Sequence, residues 1–91
     1  MDFEWDETKS ERNLIDRGLE FELAESLFEG RVIEQRDDRR DCREVRIQAI
    51  GWVGGRILLC VYTDRGGVRR IISLRYANRR ERDAYRAREG G

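Results

Sequence analysis

Of the 19 basic side chains in this chain only Lys9 is lysine; the rest are arginine, and there is no histidine. Histidine is the side chain that titrates near neutrality without help from its surroundings. Any general acid or base must therefore be a carboxylate, Lys9 or a tyrosine. Arginine cannot serve as a base, because its pKa is too high, but several converging on a phosphate stabilise the charge that develops as phosphorus becomes pentacoordinate. That is the electrostatic half of a nuclease. In metal-independent RNA cleavage the 2′-hydroxyl attacks the adjacent phosphate. The protein need only remove the hydroxyl proton, neutralise the phosphate and help the 5′-oxygen leave. A carboxylate or a tyrosine beside arginine suffices.

Two groups of residues could supply this chemistry. Arg65, Arg69, Arg70 and Arg75 fall on or near one hairpin, with Glu44 and Arg46 expected across from Arg65 and Thr63. A carboxylate there is either the base or half of a cross-strand ion pair that holds register. Arg79, Arg82 and Arg86 follow at helical spacings of three and four, a stripe that either contacts phosphate or is a solvated face paired with Glu81, Asp83 and Glu89. Tyr85 beside that stripe is the best aromatic candidate for RNA, and Trp52 is another ring that could stack on a base; Trp5 and Tyr62 read as packing residues. A thiolate and imidazole metal site lacks ligands, since Cys42 and Cys60 stand alone. Cys60 reads as a core residue and Cys42 as a loop thiol. The loop carboxylates Asp37, Asp38 and Asp41 leave a metal nuclease as a third, weaker reading.

The elements that must position these residues are legible in outline. Phe3 to Trp5 predicts a short strand, capped into a helix by Asp6 or Thr8, with Thr8 and Glu11 at capping-box spacing. That helix runs to Arg17 and stops at Gly18. Phe21, Ala24, Leu27 and Phe28 give a second helix ending at Gly30. Arg31 to Gln35 predicts another strand, and Arg36 to Arg43 an exposed loop. Val45 to Val53, Arg56 to Arg65 and Val68 to Tyr76 then have the period of a sheet, separated by Gly54-Gly55 and Gly66-Gly67. Paired glycines supply the positive φ of tight hairpin turns, so three strands form an antiparallel meander. Asn78 and Glu81 at capping-box spacing open a final helix from Arg79 to about Glu89. With two-residue turns, Arg46, Gln48, Thr63, Arg65 and Arg70 share one face with Ile72, and Arg75 falls on the other with Leu58, Cys60 and Ile71.

At 91 residues the chain is expected to form a single domain, residues 1–91, with an α+β fold. Its 42% charged content and lack of any long apolar run exclude a membrane-spanning helix. Acidic residues near the start, where a secretory signal is basic and apolar, predict a cytoplasmic location. The net charge of zero hides an asymmetry. Residues 1–44 carry 15 acidic and 8 basic side chains, and residues 45–91 carry 4 and 11. Such halves suit an oppositely charged partner segment or self-association.

Phe3-Glu4-Trp5-Asp6 with Lys9 and Asn13, then Gly18, Phe21, Ala24 and Leu27-Phe28, resembles the opening of the BrnT-type toxins. Glu44, Arg46, Ile50-Gly51, Arg56 with Leu58, Val61-Tyr62-Thr63 and Arg65 are similar to the family's second half. So are Arg70-Ile71-Ile72-Ser73 with Arg75 and Ala77, and Glu81-Arg82 with Tyr85. The likeness implies a RelE-like fold: an antiparallel meander with two N-terminal helices and one C-terminal helix packed on it, its open side handling RNA. It implies a type II toxin-antitoxin ribonuclease that arrests growth by cutting RNA, without metal or other cofactor. It further implies a cognate ribbon-helix-helix antitoxin of BrnA type, with operator DNA bound only through that antitoxin. A toxin dimer within such a complex is a separate expectation. Glu44, Arg46, Arg65, Arg75 and Tyr85 are then the expected catalytic set, with Lys9, Arg69, Arg70, Arg79, Arg82 and Arg86 contacting RNA.

The chain departs from the family at three places. Asp16-Arg17-Gly18 stands where the family has Lys-His-Gly, Glu29-Gly30 where it has Asp-Pro, and Ser73-Leu74-Arg75 where it has Ser-Ala-Arg. Arg17 keeps only the positive charge of the family's histidine, so a proton-transfer role at that position is either lost or moved to Glu44, Lys9 or Tyr85. The loss of the imidazole also supports a competing reading, a toxin-derived binding module that pairs with an antitoxin-like transcriptional regulator and cuts nothing.

Overall fold

A computed structural model describes residues 1–37 and 44–90. In chain order the elements are β1 (Asp2–Glu4), α1 (Glu7–Arg17), α2 (Leu23–Glu29), β2 (Val32–Arg36), β3 (Ile47–Val53), β4 (Arg56–Arg65), β5 (Val68–Tyr76) and α3 (Arg79–Gly90). The strands form one sheet in the order β1-β5-β4-β3-β2. The β2 to β5 meander is antiparallel, but β1 joins the far edge parallel to β5, pairing Phe3 with Arg69 and Glu4 with Arg70. The expected antiparallel sheet is therefore mixed. The first strand also starts one residue earlier than expected, the β2 strand one residue later, and β3 begins at Ile47 rather than Val45.

Local chemistry explains the elements. The carboxylate of Asp6, not Thr8, caps α1, accepting from the backbone N–H groups of Thr8 and Lys9. Gly18 ends that helix with φ 74°. α1 has little apolar surface and is held by polar contacts instead. Buried Ser10 accepts from the N–H of Phe21 at 2.9 Å, and Asn13 donates to the carbonyls of Leu19 and Leu74. Asn78 and Glu81 exchange side-chain to backbone hydrogen bonds of 2.8 and 2.9 Å, the expected capping box of α3. Both glycine pairs adopt the left-handed turn, with φ from 54° to 84°, so both hairpin loops have two residues.

A bulge corrects the predicted faces. From Arg65↔Val68 to Tyr62↔Ile71 the β4–β5 register is as expected, but Val61 then pairs with Ser73, leaving Ile72 as an extra residue. Every later residue of β5 changes face. Leu74 turns inward, and Arg75 moves from the side of Leu58 and Cys60 to that of Leu59 and Val61.

The sheet is covered on both sides. α2 and the turn before it pack Leu19, Phe21, Ala24 and Leu27 against Ala49, Leu58, Cys60, Tyr62, Ile71 and Leu74. Truncating one of these leucines to alanine costs about 2–5 kcal/mol. Gly51 allows the close approach of α2 and β2, because a Cβ there would lie 3.2 Å from both the Arg31 carbonyl and a Val32 methyl. On the opposite face α3 covers one end only, where Tyr85 and Ala77 meet Ile57, Ile50 and Ile33. The other end of that face carries the charged residues considered next.

Candidate active site

The uncovered end lies near the Gly66-Gly67 hairpin and is built from three places in the chain. Thr63 and Arg70 are paired across β4 and β5, and Arg65 lies two residues beyond Thr63 on the same face. The Thr63 hydroxyl donates to the carbonyl of Val45 at 2.7 Å, pinning the segment that leads into β3. Glu44 and Arg46 flank that pinned residue. The Arg65 guanidinium donates to Glu44, and Arg46 Nε lies 3.8 Å from the other Glu44 oxygen. From β1, Glu4 accepts from Arg70 at 2.7 Å. The row continues as the amides of Gln35 and Gln48, bonded at 2.9 Å.

Three guanidiniums and two carboxylates leave this group with one surplus positive charge. The hydrogen bond from Arg65, together with the nearby charges of Arg46 and Arg70, holds the Glu44 carboxyl below the usual carboxylate range, against a smaller upward push from burial. Glu44 is thus ionised at neutral pH and can accept a proton. Arg46 Nε is buried without a hydrogen-bond partner, an unmet donor beside the carboxylate. Arg65 is open to solvent over 60% of its side chain. An anion arriving there meets donors that are aligned by the sheet and only partly satisfied.

Other predicted site residues lie elsewhere. Arg75 is bound through both outer nitrogens to the two oxygens of Glu81, each at 2.8 Å. With the bulge it sits roughly 15 Å along β5 from Arg70. Tyr85 is 2% exposed and donates to the Arg31 carbonyl at 2.8 Å, with burial raising its pKa. Its ring lies in the core rather than on the surface where a base would stack. Arg69, next to Arg70, points to the opposite face, as strand alternation requires. There it pairs with Asp64 at 2.9 Å and lies over the rings of Tyr62 and Phe28. Lys9 is exposed on α1, and α1 is tied to the face opposite the cluster.

On α3, Arg79 lies 4.0 Å from Asp83, Arg82 donates to the Ala77 carbonyl, and Arg86 sits over Trp52. The stripe is thus a set of side chains with partners, beyond the covered end of the sheet. Sequence reasoning missed Glu4, whose partner is 66 residues away. Its only signal was its place in the Phe3-Glu4-Trp5-Asp6 string.

Among the described residues no three acidic or thiol side chains gather to hold a metal ion. Asp38, Asp41 and Cys42 lie outside the described residues. Among the described residues no helix is long and apolar enough to cross a membrane. No curated protein matches the chain. The family model described as ribonuclease toxin, BrnT, of type II toxin-antitoxin system matches residues 5–81, which include every member of the charged cluster except Glu4. The chain belongs to this BrnT ribonuclease toxin family.

Proposed function

We propose that the chain cuts RNA without a metal at the cluster of Glu4, Glu44, Arg46, Arg65 and Arg70. The observation that carries this is the surplus positive charge around an ionised Glu44, with the buried Arg46 Nε unmatched. One phosphodiester would bring one negative charge to that site. Arg65 and Arg70 hold the phosphate, and Arg46 donates to a non-bridging oxygen as charge grows there. Glu44 takes the 2′-hydroxyl proton, O2′ attacks phosphorus to give a cyclic phosphate, and the 5′-oxygen leaves with a proton from solvent. A carboxylate held ionised is a weak base, so positioning and charge supply most of the rate.

A type II toxin has an antitoxin partner. In this reading it is a BrnA-like ribbon-helix-helix protein that alone contacts operator DNA, within a cytoplasmic complex holding a toxin dimer of RelE-like fold. The competing reading, a partner-binding module without activity, is favoured by the lowered Glu44 pKa and by Arg17 at the family's histidine position.

Cleavage of end-labelled RNA by the purified, antitoxin-free chain in chelator tests the proposal, with Arg65→Ala alongside. Cutting by the parent and not by the variant supports it. Cutting that chelator abolishes would point to a metal nuclease, and no cutting by either protein would favour the binding module.

A further inference from the structure

Trp52 and Tyr76 are the two exposed aromatic side chains among the described residues, at 37% and 41%. They line the same pocket. It lies at the Gly54-Gly55 end of the sheet, beside α3, and its other polar walls are Arg56, Arg82 and Arg86. The Arg56 guanidinium is 5.4 Å from the centre of the Tyr76 ring, and that of Arg86 is 5.7 Å from the centre of Trp52. The Trp52 N–H donates to Glu89 at 2.8 Å. That fixes the ring's edge and leaves three arginines against one carboxylate.

From these facts we infer that this pocket is a second binding site for single-stranded nucleic acid, taking an unpaired base on Trp52 or Tyr76 and the flanking phosphates on Arg56 and Arg86. The inference rests on the reading of the chain as acting on RNA. Bases present a π face of any sequence, and stacking on an aromatic ring next to arginine is how proteins hold single strands without reading them. An arriving base replaces the guanidinium above each ring, and the displaced arginine turns to phosphate, so no cation is left without a partner. A duplex has no free base faces and does not fit. The pocket is remote from the cleavage cluster. Arg56 and Arg65 open and close β4, so the two sites are roughly 30 Å apart. The pocket would anchor a strand whose scissile phosphate lies at the other end of the sheet.

The test is a titration of the full chain with a short single-stranded oligonucleotide whose 2′-hydroxyls are methylated, so that it cannot be cut. The indole N–H resonances of Trp52 and Trp5 report on binding. The Trp52 signal is expected to shift while that of Trp5 stays, and a duplex of the same length should shift neither. Trp52→Ala and, separately, Arg56→Gln should each weaken binding about tenfold. Trp52→Phe should retain most of it. An unmoved Trp52 signal, or unchanged affinity in folded Arg56→Gln, overturns the inference. A Trp52 shift in a chain that cuts no ordinary RNA would uphold the pocket and sink the ribonuclease site. Cutting without a Trp52 shift would do the reverse.

Discussion

Arg75 grips both carboxylate oxygens of Glu81, and one of those oxygens also accepts from the backbone N–H of Asn78. The last strand is thereby fastened to the first turn of α3. Replacing Arg75 by Ala should lower stability by about 1–2 kcal/mol in chemical denaturation, since the pair is only partly exposed and doubly bonded. Glu81→Gln should cost a similar amount, and the double variant less than the sum. Strict additivity would show that the two residues act separately.

Arg65 gives the opposite pattern. It is mostly solvated, so Arg65→Ala should change stability by no more than about 0.5 kcal/mol. RNA cleavage should nonetheless fall by about 10²–10³-fold. Arg65→Lys should restore only part of it, because an ammonium cannot present the planar fork. Equal rates for parent and Arg65→Ala would remove Arg65 from the site.

The pH dependence follows from Glu44. Its folded pKa is depressed, chiefly by the hydrogen bond from Arg65. Its contribution to stability is therefore fully present above the unfolded pKa and disappears as pH falls through the folded one. In the same acidic range the base becomes protonated. The cleavage rate should hold a plateau through neutrality and drop only on the acid side. Glu44→Gln should be slow at every pH and lack the acid limb associated with Glu44. An activity maximum near pH 6 to 7 would mean that some other group moves the proton.

Cys60 supplies a test of the core. Burial pushes its thiol up to about 12, against a smaller downward pull from Arg69. In a Cys42→Ser background it should resist a thiol reagent at neutral pH until denaturant is added. Rapid labelling of the native chain would show that the sheet opens next to Tyr62.

The legible parts of this molecule were those set by neighbours in the chain. Gly54-Gly55 and Gly66-Gly67 announced the hairpins, Asn78 and Glu81 the start of α3, and the simple hairpin pairing already put Glu44 opposite Arg65. What escaped depended on a single inserted residue or on distant pairing. Ile72 carries no mark of a bulge, yet it decides the face of Arg75. Arg69 and Arg70 look equivalent until alternation sends one to the aromatic cluster and the other to Glu4. Tyr85 sits in a helix so polar that its burial comes from apolar residues outside that helix, Ile57, Ala77, Ile50 and Ile33. The parallel partnership of β1 with β5 spans nearly the whole chain and has no local signature.

That partnership also sets when, during synthesis, the proposed site can form. β1 is made first, yet the strand it pairs with begins at Val68. Until β5 has emerged from the ribosome, Glu4 has no Arg70, β1 has no edge to join and the cluster lacks one of its three cations. A chain interrupted before that point would carry Glu44, Arg46 and Arg65 but no β5 for β4 to pair with. Translation halted before Val68 would thus release a chain that cannot assemble the proposed site.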